Sequence, residues 1–258
     1  MLTLGTLIPA NLTSCTISTD LAATHHLKSV QAIHKALSSK PKGGKPTYWI
    51  QISGASALAA AELADKSYLP GSPSDIIFDD LDGVSQLRDH IRKHPARAVD
   101  NYVLSVAEKA EEAHMKTALV IPPLIYGEGR GKVNRRSVQL PDLVKATLQW
   151  GRGLQVGEGL SRWGTVHIQD LGQLFLQLVE RADHGGEDDD NPWNLNGFYL
   201  TGIGEVVRTQ TRKPQQDVSP CLNANYGPFP NRHSPIYHNA WLRRRHGKVS
   251  LRVTKWTN

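Results

Sequence analysis

Hydrophobic residues along the chain occur either in short continuous runs or in stripes with helical spacing. The runs 48–52 and 117–121 are apolar at four of their five positions, as in strands of a parallel sheet covered on both faces. Other segments place apolar residues three and four positions apart, which predicts amphipathic helices. These predicted helices are 20–37, 84–93, 98–114, 140–150 and 170–182, with further short strands at 166–168 and 196–201. Strands alternating with helices predict an α/β fold.

Two loops follow the apolar runs. Ser53-Gly54-Ala55-Ser56 comes directly after the first run, and a glycine-bearing loop that begins at Pro122 comes after the second. In an open α/β sheet, ligands bind beyond the carboxyl ends of the strands. Both loops are therefore predicted to border a ligand site.

The loop 122–129 (Pro-Pro-Leu-Ile-Tyr-Gly-Glu-Gly) and the segment 165–171 (Thr-Val-His-Ile-Gln-Asp-Leu) resemble two motifs of the extended short-chain dehydrogenase/reductase superfamily. They are similar to the Arg-Pro-x-x-x-Tyr-Gly-Pro-Gly loop and the Val-His-Val-x-Asp-Leu segment of its nucleotide-sugar epimerase and dehydratase branch. Pro122 stands in place of the arginine, and Glu128 in place of a proline. The resemblance implies a Rossmann-like parallel sheet with a small substrate lobe, and it begins near Asp20.

The resemblance also implies NAD or NADP as cofactor. Dinucleotide binding requires a glycine-rich turn that presents backbone N–H groups to the pyrophosphate, and Gly-x-x-Gly-x-x-Gly is absent from the sequence. We therefore expect an N-terminally truncated fold. Whether this fold binds a cofactor is left undecided by the sequence. By resemblance, Ser53, Pro123, Leu124 and Ile125 are the cofactor-binding candidates, and the last three match the loop that meets the nicotinamide ribose and amide.

Catalysis in the superfamily uses a serine and a Tyr-x-x-x-Lys pair, in which the tyrosine acts as general acid/base. Ser53 or Ser56, at the end of a strand, matches the position of the serine, although a hydroxyl there could equally satisfy a strand-end backbone group. Tyr102 is the tyrosine candidate, but Val106 stands where the lysine is needed. Tyr102 could instead serve only to pack its helix against the rest of the protein.

Substrate contacts are predicted at the start of the lobe and near the second motif. Two adjacent guanidiniums can clamp a phosphate or a carboxylate, or can belong to a solvated basic turn. A lone histidine between apolar residues can polarise a ligand or serve the structure alone, and Asp170 is predicted to cap the helix that follows. The substrate candidates are Tyr126, Asn134, Arg135 with its neighbour Arg136, Arg162 and His167.

Charge separates the end of the chain from the rest. Residues 206–258 hold ten Lys/Arg and one acid, a charge of +9, whereas the remaining residues hold twenty bases and twenty-three acids, a charge of −3. This stretch has no sustained hydrophobic period, which predicts disorder. We therefore predict a poorly defined N-terminus at 1–19, a partial NAD(P)-binding domain with its substrate lobe at 20–204, and a basic tail of low order at 205–258.

Several other classes receive little support. Cys15 and Cys221 form neither a disulfide framework nor a metal-ligand spacing, and no apolar run reaches the length of a bilayer. The adjacent pair His25-His26 diverges on a helix and cannot chelate one ion. We expect a cytoplasmic protein with a small-molecule substrate, no metal and no membrane partner.

Three functions remain open. The first is an oxidoreductase or epimerase that acts on a small carbonyl or sugar-nucleotide-like substrate. The second is a non-enzymatic NAD(P)-sensing or scaffold relative, which the lack of Tyr-x-x-x-Lys also predicts. The third is binding of nucleic acid or of another acidic partner through the tail, where Trp241 is close in sequence to Arg243-Arg244-Arg245. The tail carries no binding motif, so nucleic acid is not expected as a partner.

Overall fold

The computed structural model describes residues 16–21, 24–41, 44–109, 112, 114–132, 134–184 and 192–207. The chain divides into two compact units. The first contains the described residues of the segments 16–68, Phe78–Arg136 and Trp163–Val206. The second contains Leu69–Ile77, the segment Ser137–Arg162 and Val207.

Four parallel strands form the main sheet. They are β1 (Ile17–Asp20), β2 (Thr47–Ile52), β3 (Met115–Ile121) and β6 (Phe198–Leu200), in the order β1-β2-β3-β6. A smaller sheet has the order β4-β5-β7 and contains β4 (Leu124–Tyr126), β5 (Arg162–His167) and β7 (Gly204–Val207). Because the pairs of the main sheet are parallel and helices connect its strands, the predicted α/β class with a Rossmann-like sheet is confirmed.

Six α-helices occur in the described part of the chain. They are α1 (Leu27–Ser38), α2 (Ala60–Ala64), α3 (Val84–Arg92), α4 (Ala98–Glu108), α5 (Gln139–Trp150) and α6 (Ile168–Asp183).

Both faces of the main sheet are covered. Along β2, Trp49 belongs to a core cluster with residues of α1, α3 and α4, whereas Tyr48 and Ile50 belong to a second cluster with residues of α6. This alternation follows from the twofold period of a strand. Full burial of a large apolar side chain contributes about 1.5–3 kcal/mol, so the continuous apolar runs of β2 and β3 hold the two layers together.

Some predicted elements were wrong at their boundaries. The helix predicted at 20–37 is the end of β1 followed by α1, which begins only at Leu27. Strand β1 has only four residues and is too short to show a period in the sequence. The helix predicted to reach residue 114 ends at Glu108 as α4, and β7 forms where no period is visible. Almost all of the basic tail lies outside the described residues.

No helix in the described part of the chain combines the length and the hydropathy needed to cross a bilayer.

Candidate functional site

The carboxyl ends of β2 and β3 bring the two predicted loops together. Ser53 follows β2 directly and is 2% exposed, and its N–H donates a hydrogen bond to the carbonyl of Val120 in β3 (2.7 Å). Pro122 follows β3 and is also buried. The sheet thus places the serine beside the start of the proline loop, at the edge where ligands bind to open α/β sheets.

The partner of Ser53 is an arginine that the sequence did not single out. Arg97 immediately precedes α4, and its Nη2 donates to the Ser53 Oγ at 3.0 Å. Its Nη1 donates to the Oγ of Ser56 at 2.8 Å. One guanidinium therefore joins both hydroxyls of the loop after β2.

Asp100 holds that guanidinium from inside the protein. Its Oδ2 lies 2.6 Å from both the Nε and the Nη2 of Arg97, and the residue is 0% exposed. Burial raises the pKa of Asp100, while the charge of Arg97 and hydrogen bonds from Ser53 and Arg97 act against that rise. Among the described residues, none offers a hydrogen-bond partner to the buried Oδ1 atom of Asp100. The carboxylate is thus committed to fixing Arg97.

Tyr102 is placed differently. Its hydroxyl lies 2.8 Å from the Nδ1 of His34 in α1, and the two rings meet edge to face at 5.6 Å. Burial raises the pKa of Tyr102 and lowers the pKa of His34. The described contacts of the Tyr102 hydroxyl lead to α1 and not to Ser53, so a role for it in proton transfer stays a prediction.

The proline loop and the second motif meet in the smaller sheet. Residues 124–126 pair with 165–167 in parallel register, which sets Tyr126 opposite His167, with ring centroids 5.2 Å apart. Gly127 has a φ of +96°, and a side chain there would collide with the His167 ring. Glycine is therefore required at this position by backbone conformation and by space.

His167 is the N-cap of α6. Its Nδ1 accepts the N–H of Gln169 at 3.3 Å, so in the neutral ring the proton lies on Nε2. The prediction that Asp170 caps this helix was wrong, because Asp170 lies inside the first turn. A negative side chain at that place stabilises the helix by interacting with the positive end of the helix dipole. A ligand role for His167 stays a prediction beside this structural one.

The remaining cofactor candidates are mostly packed. Leu124 is buried in the core, Ile125 is half-buried, and Pro123 lies against Gly164 of β5. These three apolar residues of the loop are therefore partly or fully withdrawn from solvent.

The substrate candidates after this loop lie on the surface. Arg135 pairs with Glu128 (2.9 Å) and donates from Nε to the carbonyl of Gly129 (2.9 Å), so its guanidinium is already engaged. The side chain of Asn134 accepts the N–H of Arg136 at 3.1 Å. Arg162 is exposed at the start of β5. Their roles in substrate binding stay predictions.

Sequence patterns could have revealed Arg97 and Asp100. They stand three residues apart at a helix start, a spacing that allows an ion pair on one face. An Asp at the buried stripe of a helix needs a partner, and Arg97 is the nearest cation in the sequence. As for metals, no cluster of three or more His, Cys, Asp or Glu side chains among the described residues could hold an ion.

Comparisons with known proteins give one related sequence and weak structural likenesses. No protein-family model matches the chain. Oxidase ucsJ from an Acremonium species is 32% identical over 193 residues, which are 73% of this chain and 54% of that protein. The chain thus spans about half the length of this relative.

Two solved structures are weakly similar to the chain. One is the PbgP3 protein from Burkholderia pseudomallei (TM-score 0.38, 10% identity, covering 74% of this chain and 57% of the other). The other is the human epimerase family protein SDR39U1, isoform 2, solved with NADPH (TM-score 0.33, 16% identity, covering 66% and 54%).

Proposed function

We propose that this chain is an NAD(P)-binding oxidoreductase or epimerase relative of the extended short-chain dehydrogenase class, acting on a small carbonyl or sugar-nucleotide-like substrate. The observation that carries the proposal is the position of Ser53 at the carboxyl edge of a parallel sheet, where its backbone N–H donates to the carbonyl of Val120, two residues before the proline loop. The sequence similarity to a protein named as an oxidase supports the redox assignment.

The residues present fit the nicotinamide side of the cofactor better than the pyrophosphate side. Pro123, Leu124 and Ile125 would border the nicotinamide ribose and amide, and a Cβ built on Gly54 meets nothing within 4 Å, so space remains beside Ser53. The pyrophosphate would need backbone donors from a glycine-rich turn, and the sequence has no Gly-x-x-Gly-x-x-Gly. When bound, the nicotinamide would supply hydride transfer.

The chain's own groups would orient the substrate. Because Arg97 donates to the Ser53 Oγ, the position of this hydroxyl is fixed before a ligand arrives. Preorganised hydrogen-bonding groups stabilise developing charge without reorganising during the reaction.

Titration of the full chain with NADPH and with NADH, followed by thermal melting and tryptophan fluorescence, tests the proposal. A ligand that binds only the folded state adds about 2.7 kcal/mol at a concentration of a hundred times its dissociation constant. We expect a rise in melting temperature with at least one of the two cofactors. Unchanged melting at millimolar concentrations of both would overturn the proposal.

A second candidate function is a non-enzymatic NAD(P)-sensing or scaffold protein. The contact of the Tyr102 hydroxyl with His34 favours it, because the group expected to move the proton is engaged elsewhere. Cofactor binding without turnover of aldehydes, ketones or nucleotide sugars would select this candidate. Any measurable turnover that Ser53→Ala abolishes would exclude it.

A further inference from the structure

The described hydrogen bonds of Arg97 use four of the five N–H groups of its guanidinium. A guanidinium carries five N–H groups in a fixed plane. The Nε–H and one Nη2–H meet Asp100 Oδ2, the second Nη2–H meets Ser53 Oγ, and one Nη1–H meets Ser56 Oγ. Among the described contacts, the second Nη1–H has no acceptor.

Ser56 supplies a second donor beside the first. Its Oγ accepts from Arg97 at 2.8 Å, so its own hydrogen remains available to donate. Ser56 is exposed, in contrast to Ser53, and the neighbouring Gly54 borders open space. The end of β2 therefore presents two adjacent donors to a ligand.

The chemistry complementary to two donors is an oxygen with free lone pairs. Guanidinium groups bind carboxylate and phosphate oxygens in preference to neutral acceptors. The Arg97 side chain is 13% exposed and Asp100 is 0% exposed, so the guanidinium is held in place before binding. Little side-chain entropy is then lost on association.

We propose that Arg97 and Ser56 form a subsite that binds one anionic oxygen, from a carboxylate or a phosphate. Asp100 is its positioning residue, because it fixes the plane of the guanidinium. The subsite deepens the proposed function, and it rests on that function only for the identity of the molecule that brings the oxygen. The two sources are a phosphate of the cofactor and a carboxylate or phosphate of the substrate.

Three variants of the full chain test the subsite. Ser56→Ala removes one donor at an exposed position and leaves the Arg97–Asp100 pair in place. Arg97→Lys keeps the positive charge but loses the planar fork. Arg92→Lys is the matched control, since Arg92 forms an exposed ion pair with Glu108 at 2.6 Å. Each variant is titrated with inorganic phosphate, acetate and NADPH by calorimetry, and thermal melting confirms that it is folded.

We expect phosphate or acetate to bind the unaltered chain at millimolar concentration. Ser56→Ala should weaken that binding roughly tenfold, the effect of losing one charge-assisted hydrogen bond, and Arg97→Lys should weaken it further. Arg92→Lys should have no effect. Weaker NADPH binding by Ser56→Ala would assign the oxygen to the cofactor, and an effect on acetate or phosphate alone would assign it to the substrate.

Different experimental outcomes would overturn the proposed subsite and the proposed function. If NADPH binds and a folded Ser56→Ala binds every probe as the unaltered chain does, the subsite is wrong and the proposed function stands. The subsite is equally overturned if neither phosphate nor acetate binds the unaltered chain. If the anions bind in a Ser56-dependent manner and neither NADPH nor NADH binds, the subsite stands and the proposed function fails.

Discussion

Asp100 is a fully buried acidic side chain that pairs with the guanidinium of Arg97. Removing one member of such a pair leaves an uncompensated charge in the interior, which costs about 3–5 kcal/mol. Replacing both members by apolar residues of similar volume is often neutral. The stability of the site therefore depends on the pair being complete rather than on its net attraction.

We expect Arg97→Met to lower the free energy of unfolding by about 3–5 kcal/mol for this reason. The double variant Arg97→Met with Asp100→Leu should recover much of that loss. Urea denaturation of the unaltered chain, both single variants and the double variant gives the coupling free energy. Additive losses would show that the two side chains stabilise the fold independently.

His34 links the fold to pH at a second contact, which is half-buried. Burial lowers its pKa below the ordinary value of 6.5, so the folded protein keeps the ring neutral where the unfolded chain takes up a proton. The contribution of His34 to stability is complete above about pH 6.5 and is lost as pH falls from there through its pKa in the folded state. Stability should therefore decrease on mild acidification.

Replacing His34 by Gln should flatten the dependence of the melting temperature on pH between neutrality and mildly acidic pH. Some dependence should remain, because burial also lowers the pKa of His90. His184→Gln is the control, as His184 is exposed just after α6. A slope equal to that of the unaltered chain in His34→Gln would contradict the assignment.

At the scale of elements, a short turn before β6 accepts a hydrogen bond from the backbone of β3. Asn194 has a φ of +62°, and its Oδ1 accepts the backbone N–H of Thr117 at 2.8 Å. Asparagine tolerates this left-handed conformation better than other residues with a side chain. Thr117 is buried, so its N–H depends on this acceptor.

We expect Asn194→Gly to cost about 1–3 kcal/mol, because glycine keeps the backbone conformation and leaves the Thr117 N–H unsatisfied. Asn194→Asp keeps the acceptor and should cost less. Chemical denaturation measures both, and amide hydrogen exchange at Thr117 should be faster in the glycine variant only. Equal losses in both variants would place the effect in the backbone rather than in the hydrogen bond.

The elements also show what the sequence can predict. Long periodic or continuous segments such as β2, β3 and α6 were predicted to within about two residues, because core packing imposes their period. The four-residue strands β1 and β7 were missed, since a strand this short depends on its neighbours rather than on its own pattern.

The candidate site was predictable only in part for a related reason. Ser53 and the proline loop follow continuous apolar runs, so their place at the sheet edge follows from the sequence. Arg97 reaches Ser53 across 44 positions, and Tyr102 reaches His34 across 68. Only packing decides such contacts. The sequence could thus locate the edge and suggest the Arg97–Asp100 pair, but it could not show that Arg97 meets Ser53.

At the scale of the whole molecule, charge is distributed unevenly. The net charge is +6 and the sequence pI about 9.3, yet residues outside 206–258 carry a net negative charge. A basic segment attracts polyanions through release of their counterions, without regard to sequence. Such association is strong at low salt and fades at physiological ionic strength, which distinguishes it from a specific nucleic-acid function.

We expect the full chain to retain duplex DNA on a filter or in a gel at low salt and to release it as salt increases. Replacing the arginine run 243–245 by Gln should reduce the slope of log affinity against log salt by about one for each phosphate that is no longer neutralised. The matched control removes the same charge by replacing Lys93, Lys132 and Lys145, all exposed, by Gln. If both triple variants lower the affinity equally, net charge alone governs association and the arginine run has no particular role. Binding that persists at physiological salt and disappears only in the arginine variant would instead make nucleic acid a functional partner of this chain.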